Sequence, residues 1–197
     1  YRKGADTVGS VLGRYHPHGD SSIYGALVYM AQSWNMRTVL VDGHGNFGSM
    51  DGDGAAAMRY TEARMSKIAA EMVRDLEKDT VDMVDNYDAT MKEPSLLPTT
   101  FPNVLVSANQ GIAVGMASNI CSFNLAEVCD GTIALLKNPR TKTEKIMELI
   151  KAPDFPGGGQ IIYNEQQMRE VYETGQGSIV VRAVYKYDKA NHCIDIL

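Results

Sequence analysis

Apolar residues recur at helical spacing in two neighbouring stretches near the start of the chain. Ala5, Val8 and Leu12 share one side of residues 4–13, which the spacing predicts as a short helix. Arg14 to Gly19 interrupt it, with Pro17 and Gly19 as breakers. Asp20 or Ser21 can cap a second helix carrying Ile23, Leu27, Met30, Ala31 and Trp34 on one face. Helix, short turn with glycine, amphipathic helix has the form of a helix-turn-helix, although on form alone an ordinary packed pair is the commoner explanation. Residues 37–42 (RTVLVD) read as a strand entering a glycine-rich loop. Thr61 to Lys78 read as one amphipathic helix, with Met65, Ile68, Ala69, Met72 and Leu76 on its buried face.

The second half changes character. Residues 79–103, with Pro94, Pro98 and Pro102, read as an irregular connection between subdomains. Residues 104–106 and 111–116 suggest two short buried strands around a turn at Asn109-Gln110. Asn124 with Glu127 and Thr141 with Glu144 form capping boxes for helices expected to reach Lys137 and Lys151. Asn164 with Gln167 caps a third helix, reaching Tyr172. Ser178 to Val184 is expected as a strand, and residues 188–191 as a hairpin turn into a last strand. The sum is an α+β chain without repeats.

Composition narrows the class. The 197 residues are 44% hydrophobic and 22% charged, ordinary for a globular chain able to bury a core. No apolar run approaches the ~20 residues of a membrane span, so no membrane role is expected. The chain opens on Tyr1 and stops inside an expected strand, so it reads as a fragment of a longer protein. Cys121, Cys129 and Cys193 have no metal-ligand spacing and read as free thiols of a reducing cytoplasm. The net charge of −5 does not advertise nucleic-acid binding. Residues 1–74 nevertheless carry +1 and the remainder −6. A DNA contact would therefore draw on Arg2, Lys3, Arg14, Arg37, Arg59, Arg64 and Lys67.

Three stretches carry candidate chemistry. Gly43 to Gly48 match the G-x-G-x-x-G spacing of a dinucleotide site, but that site needs a helix to begin at the glycines. Here Ser49 to Gly54 extend the loop, and Asp51 with Asp53 fall short of a calcium loop. His16-Pro17-His18-Gly19-Asp20 is weak as a zinc site and better suited to a general base or a phosphate contact beside a helix start. In Arg59-Tyr60, the phenol is a nucleophile once deprotonated, and the guanidinium can steady charge on a phosphoryl oxygen. A helix starting directly after Tyr60 would add its free N–H groups as an anion site.

The stretches YHPHGDSSIY (15–24), LVDGHGNFGSMDGD (40–53), AAAMRYTEARMSKIA (55–69) and GIAVGMASNI (111–120) closely resemble the A subunit of bacterial type IIA topoisomerases, DNA gyrase or topoisomerase IV. The resemblance runs along essentially the whole chain. It implies a winged-helix DNA-binding domain over 1–96 and the start of an α/β tower domain over 97–197. It implies Tyr60 as the nucleophile that becomes linked to a 5′ phosphate, Arg59 as the catalytic arginine, and His16 and His18 beside the scissile phosphate. Residues 20–34 match the recognition helix, and Ile112 matches a side chain that wedges between base pairs and bends DNA. Ser21 matches a quinolone-binding position. Four residues on, where the family usually has Asp or Glu, stands Gly25, which predicts weakened quinolone sensitivity. Magnesium and ATP are expected mainly or wholly on a partner B subunit, within an assembly of two A and two B chains acting on double-stranded DNA in the bacterial nucleoid. A DNA-binding module without catalysis is the chief alternative, and a nucleotide-binding enzyme using Gly43 to Gly48 a distant third.

Overall fold

The computed structural model describes residues 1–196 and divides the chain into two compact units, Tyr1–Asn103 and the remainder from Val104. Both mix helices with small antiparallel sheets, an α+β architecture.

In the first unit, β1 (Arg2–Lys3) leads into α1 (Gly4–Arg14), followed by α2 (Asp20–Ala31). Both helices lie where the apolar spacing predicts, although α2 stops at Ala31, short of Trp34. Val8 is the buried residue of α1's apolar side, and Leu27 that of α2. Leu27 packs with Val41 and Ala63 into a small core, against which Tyr24, Met30 and Ala31 rest. Gly19 occupies the cap position of α2, so Asp20 is its first helical residue and not its cap.

Three expectations fail here. The strand expected over 37–42 is instead β2 (Val41–His44), running into the glycine loop. The helix expected from Thr61 to Lys78 is broken. Glu62–Met65 form β3, α3 spans only Lys67–Val73, and a single 3-10 turn covers Leu76–Lys78. Glu-Ala-Arg-Met is good helix-forming sequence, yet β3 is the central strand of the sheet β1-β3-β2 and hydrogen-bonds on both edges. Pairing puts Ala63 in the core and leaves Met65 exposed, so Met65 does not belong to the apolar stripe. Ser66 then caps α3 by accepting from the Ala69 N–H. None of α3's residues is fully buried. Residues 79–103 also contain structure: β4 (Met83–Asp85) pairs antiparallel with β5 (Lys92–Pro94).

In the second unit the residues expected as a strand at 104–106 lie in a single helical turn, α4 (Asn103–Val106). The hairpin that follows, β6 (Asn109–Ala113) and β7 (Met116–Ile120), turns at Val114-Gly115 and is largely exposed, where a buried pair turning at Asn109-Gln110 was expected. Gly115, at φ +83°, supplies the left-handed residue the tight turn requires. Three helices form the body of this unit: α5 (Leu125–Lys137), α6 (Thr143–Leu149) and α7 (Glu165–Thr174). Asn124 and Asn164 cap α5 and α7 as predicted. Glu127 does not close its capping box but accepts from the Lys151 N–H, and Lys142, not Thr141, precedes α6. Strand β8 (Gln160–Ile161) pairs with β9 (Val181–Arg182), shorter than the expected 178–184, and β10 (Tyr185–Asp188) pairs with β11 (Cys193–Ile196). Among the described residues all three cysteines are free thiols, and no helix is long and apolar enough to cross a membrane.

Candidate active site

Tyr60 ends a tight turn in which its N–H donates to the Ala57 carbonyl at 2.9 Å. Its side chain is 63% exposed, and the Arg59 guanidinium lies over its ring, 4.7 Å from the centroid. The next residue, Thr61, is wholly buried. An exposed phenol on a backbone fixed one residue away is the opposite of a mobile surface loop.

The clamps on this turn come from four directions. Helix α1 has no side-chain cap, and its first N–H groups are taken by the turn: Gly4 donates to the Thr61 carbonyl at 2.8 Å and Ala5 to Met58 at 3.0 Å. Gly4 is required there, since a Cβ would lie 2.8 Å from Thr61 Oγ1 and 3.1 Å from the Met58 carbonyl. From α2, the Tyr24 hydroxyl donates to the Ala56 carbonyl at 2.6 Å and lies 2.8 Å from Thr61 Oγ1. The Ala56 N–H donates to the Asn46 carbonyl of the glycine loop at 2.9 Å. On the far side Thr61 continues into β3.

The glycine loop is itself braced. Gln32 Nε2 donates to the Phe47 carbonyl at 2.7 Å, and the Gly48 N–H to Asn46 Oδ1 at 2.8 Å. No helix begins at its glycines, and Asp53 is engaged by Ser49 Oγ at 2.8 Å. The pyrophosphate site of a dinucleotide-binding fold therefore has no counterpart here.

The two histidines occupy the turn between α1 and α2. Their ring centroids lie 4.3 Å apart with the planes tilted by 50°, and both residues are exposed. The His16 N–H donates to the Val11 carbonyl at 2.9 Å, so the turn grows from the last turn of α1. The end of α1 is held by the β4–β5 hairpin: buried Asn86 donates from Nδ2 to the Arg14 carbonyl at 2.7 Å, and Tyr87 from its hydroxyl to Gly13 at 3.1 Å. Among the described residues no three His, Cys, Asp or Glu side chains gather as a zinc site would require.

Lys3 and Arg64 are not bare cations. Lys3 Nζ pairs with Glu62 Oε1 at 2.9 Å and Arg64 Nε with Asp42 Oδ2 at 2.7 Å, each with the residue opposite on the neighbouring strand. Asp42 also accepts from the Tyr1 hydroxyl at 2.7 Å. That bond, then the one from Arg64, holds the Asp42 carboxyl below its usual range, and Lys3 does the same for Glu62. Tyr1 further stacks on His44, which the sequence left without a partner. Arg14, Ser21 and Gly25 are exposed, the last two in the first half of α2. In the second unit Ile112 stands 90% exposed on β6 near the hairpin tip.

One sequence expectation about the site is overturned. Tyr60 is followed by a strand and not by a helix N-terminus, so no helix there presents N–H groups to an anion. The helix beginning near the histidines is α2. Sequence reasoning missed Tyr24, Thr61 and Asn86 as structural partners. A tyrosine on the inner side of an amphipathic helix and a threonine beside the candidate nucleophile were the available signals. Their partners lie 32 to 72 residues away in the chain.

Comparison with known proteins places the chain. A family model for the A subunit of DNA gyrase/topoisomerase IV matches residues 1–197. The DNA gyrase A subunit of Clostridium acetobutylicum is 60% identical over 183 residues, covering 93% of this chain and 22% of that protein. Those of Metamycoplasma arthritidis and Staphylococcus epidermidis are 59% and 58% identical over the same length, covering 93% of this chain and 20% of each relative. The chain thus spans about a fifth of the length of the curated relatives it matches. By the match of its full length, the chain belongs to the family of DNA gyrase and topoisomerase IV A subunits.

Proposed function

We propose that this chain is the part of a type IIA topoisomerase that cuts and rejoins DNA, with Tyr60 as the nucleophile. The observation that carries the proposal is the Tyr60 turn: an exposed phenol beneath an arginine, on a backbone clamped by two helices, a glycine loop and a strand. The Tyr60 oxygen attacks a backbone phosphorus, a P–O bond forms to tyrosine, and the bond to the 3′ oxygen breaks. The phenol's proton passes to His16 or His18 or to water, and the departing 3′ oxygen takes one up. One phosphoester is exchanged for another, so the reverse attack reseals the strand without an external energy source.

The chain's own residues contribute position and charge. Arg59, already against the phenol ring, presents its cation to the phosphoryl oxygens as charge moves through the transition state. The histidine pair precedes α2, and Tyr24 of the same helix holds the Tyr60 turn, so one element carries both groups. The helix pair α1–α2 with the three-stranded sheet supports a winged-helix reading of the first unit, with α2 as the groove-reading helix; the proposed domains are 1–96 and a tower from 97, while the compact units divide at Asn103. Arg14, Lys3 and Arg64 serve as backbone contacts, the last two by exchanging a carboxylate for a phosphate. Ile112, apolar and exposed, is suited to unstack a base step. Magnesium and ATP belong to a partner B subunit in this proposal. The magnesium is held mainly by that subunit and the ATP by it alone, and no step is routed through either. The partners are duplex DNA, a second A chain and two B chains, in the bacterial cytoplasm.

The test compares the wild-type full-length A subunit with its Tyr60→Phe variant, each in complex with the B subunit on supercoiled DNA. Trapping with denaturant is expected to yield covalent protein–DNA adducts in wild type and none in the variant. Adducts that persist without the phenolic oxygen refute the assignment and leave a binding module.

A further inference from the structure

The Tyr24 hydroxyl makes two contacts, and both go to the ends of the Tyr60 turn. It donates its single proton to the Ala56 carbonyl at 2.6 Å, four residues before Tyr60. The 2.8 Å contact with Thr61 Oγ1 must then run the other way, with the threonine hydroxyl donating to the tyrosine oxygen. The result is an ordered chain, Thr61 to Tyr24 to Ala56, in which each bond polarises the next. Thr61 is wholly buried and Tyr24 half-buried, so water does not readily replace either partner.

We infer that Tyr24 is a positioning residue: it straps the turn that carries Tyr60 to α2, so that seating α2 on DNA also sets where the phenolic oxygen sits. Its catalytic meaning rests on Tyr60 being the nucleophile. Backbone N–H groups of Gly4 and Ala5 hold the same turn from α1, at Thr61 and Met58. Those contacts keep the turn folded when the strap is cut. Ala56 and Thr61 have no other direct side-chain tie to α2 among the described residues; the glycine loop, braced by Gln32 at the end of α2, still holds the Ala56 N–H, so losing the Tyr24 oxygen loosens the turn against α2 mainly at its Thr61 end. Transesterification requires the attacking oxygen to lie in line with the leaving one, and a displacement of about an ångström costs about a hundredfold in rate.

The test uses the full-length A subunit in complex with the B subunit, on a short duplex carrying a cleavage site. Tyr24→Phe keeps the ring and removes the strap. Single-turnover cleavage at saturating DNA is expected to fall about ten- to hundredfold, with DNA affinity unchanged. Thr61→Val, which keeps the shape of the side chain and loses its hydroxyl, is expected to produce a similar fall. Thr61→Ser, which keeps the hydroxyl, recovers most of the rate. The double variant Tyr24→Phe/Thr61→Val should lose no more than the worse single one, because both cut the same chain. A mere stabilising role would instead lower the melting temperature and leave the rate per folded complex untouched. Wild-type cleavage by Tyr24→Phe, with adducts still formed through Tyr60, overturns the strap and leaves the nucleophile standing. Loss of DNA affinity in parallel with rate overturns it in favour of a direct DNA contact. Absence of Tyr60 adducts in wild type overturns both.

Discussion

The same substitution, glycine to alanine, is expected to act with opposite sign at two positions of the first unit. Gly25 is the sixth of α2's twelve residues, its φ lies outside the left-handed region, and a Cβ built there meets nothing within 4 Å. Alanine therefore removes only the entropic penalty of glycine inside a helix, a gain of about 0.8–1.0 kcal/mol. Gly4 is the first residue of α1, where that gain is small. Its Cβ would fall 2.8 Å from Thr61 Oγ1 and 3.1 Å from a backbone carbonyl, so the Tyr60 turn must move. Overpacking of this kind costs about 1–3 kcal/mol. The single tryptophan of the chain, Trp34, lies in the first unit and reports its unfolding by fluorescence. With a urea dependence of about 1–3 kcal/mol per molar, the midpoint should rise by about 0.3–1 M in Gly25→Ala. It should fall by a similar or larger step in Gly4→Ala. Hydrogen exchange of the α2 amides that open locally should slow about four- to fivefold in the first variant. An unchanged or lowered midpoint in Gly25→Ala, or a raised one in Gly4→Ala, would refute the account of both sites.

Gly25→Asp places a carboxylate on α2 without steric cost, and in the assembled enzyme quinolone-stabilised cleavage is expected at lower drug concentration than in wild type; equal potency rejects the role given to this position. Stability should also weaken in acid through the cross-strand pairs. The folded-state pKa of Asp42 is depressed, first by the bond from Tyr1 and then by that from Arg64, so its contribution is complete above the unfolded value of about 3.9 and is lost as pH falls through the lower folded value. Urea midpoints measured from pH 6 to 2 should therefore fall less steeply in Asp42→Asn than in wild type, and identical slopes would dismiss the pair as a contributor.

The sequence by itself determined what depends on neighbours within a few residues. Helices α1 and α2, the caps Asn124 and Asn164 and the last hairpin turn, which falls at 189–192, one residue on from the expected 188–191, are local choices, made by apolar spacing or by a side chain within reach of its own backbone. The motifs around His16, Tyr60 and Ile112 were likewise readable, because each is a run of consecutive residues. Tertiary structure alone decided that Glu62–Met65 extend as a strand, since hydrogen bonds to β1 and β2 on both edges outweigh the helical preference of those four residues. It also decided what holds the Tyr60 turn. Tyr24 reaches Thr61 across 37 residues, and Asn86 reaches Arg14 across 72. A hydroxyl or an amide in a sequence names no partner at that distance; only the packed chain brings the carbonyl to it.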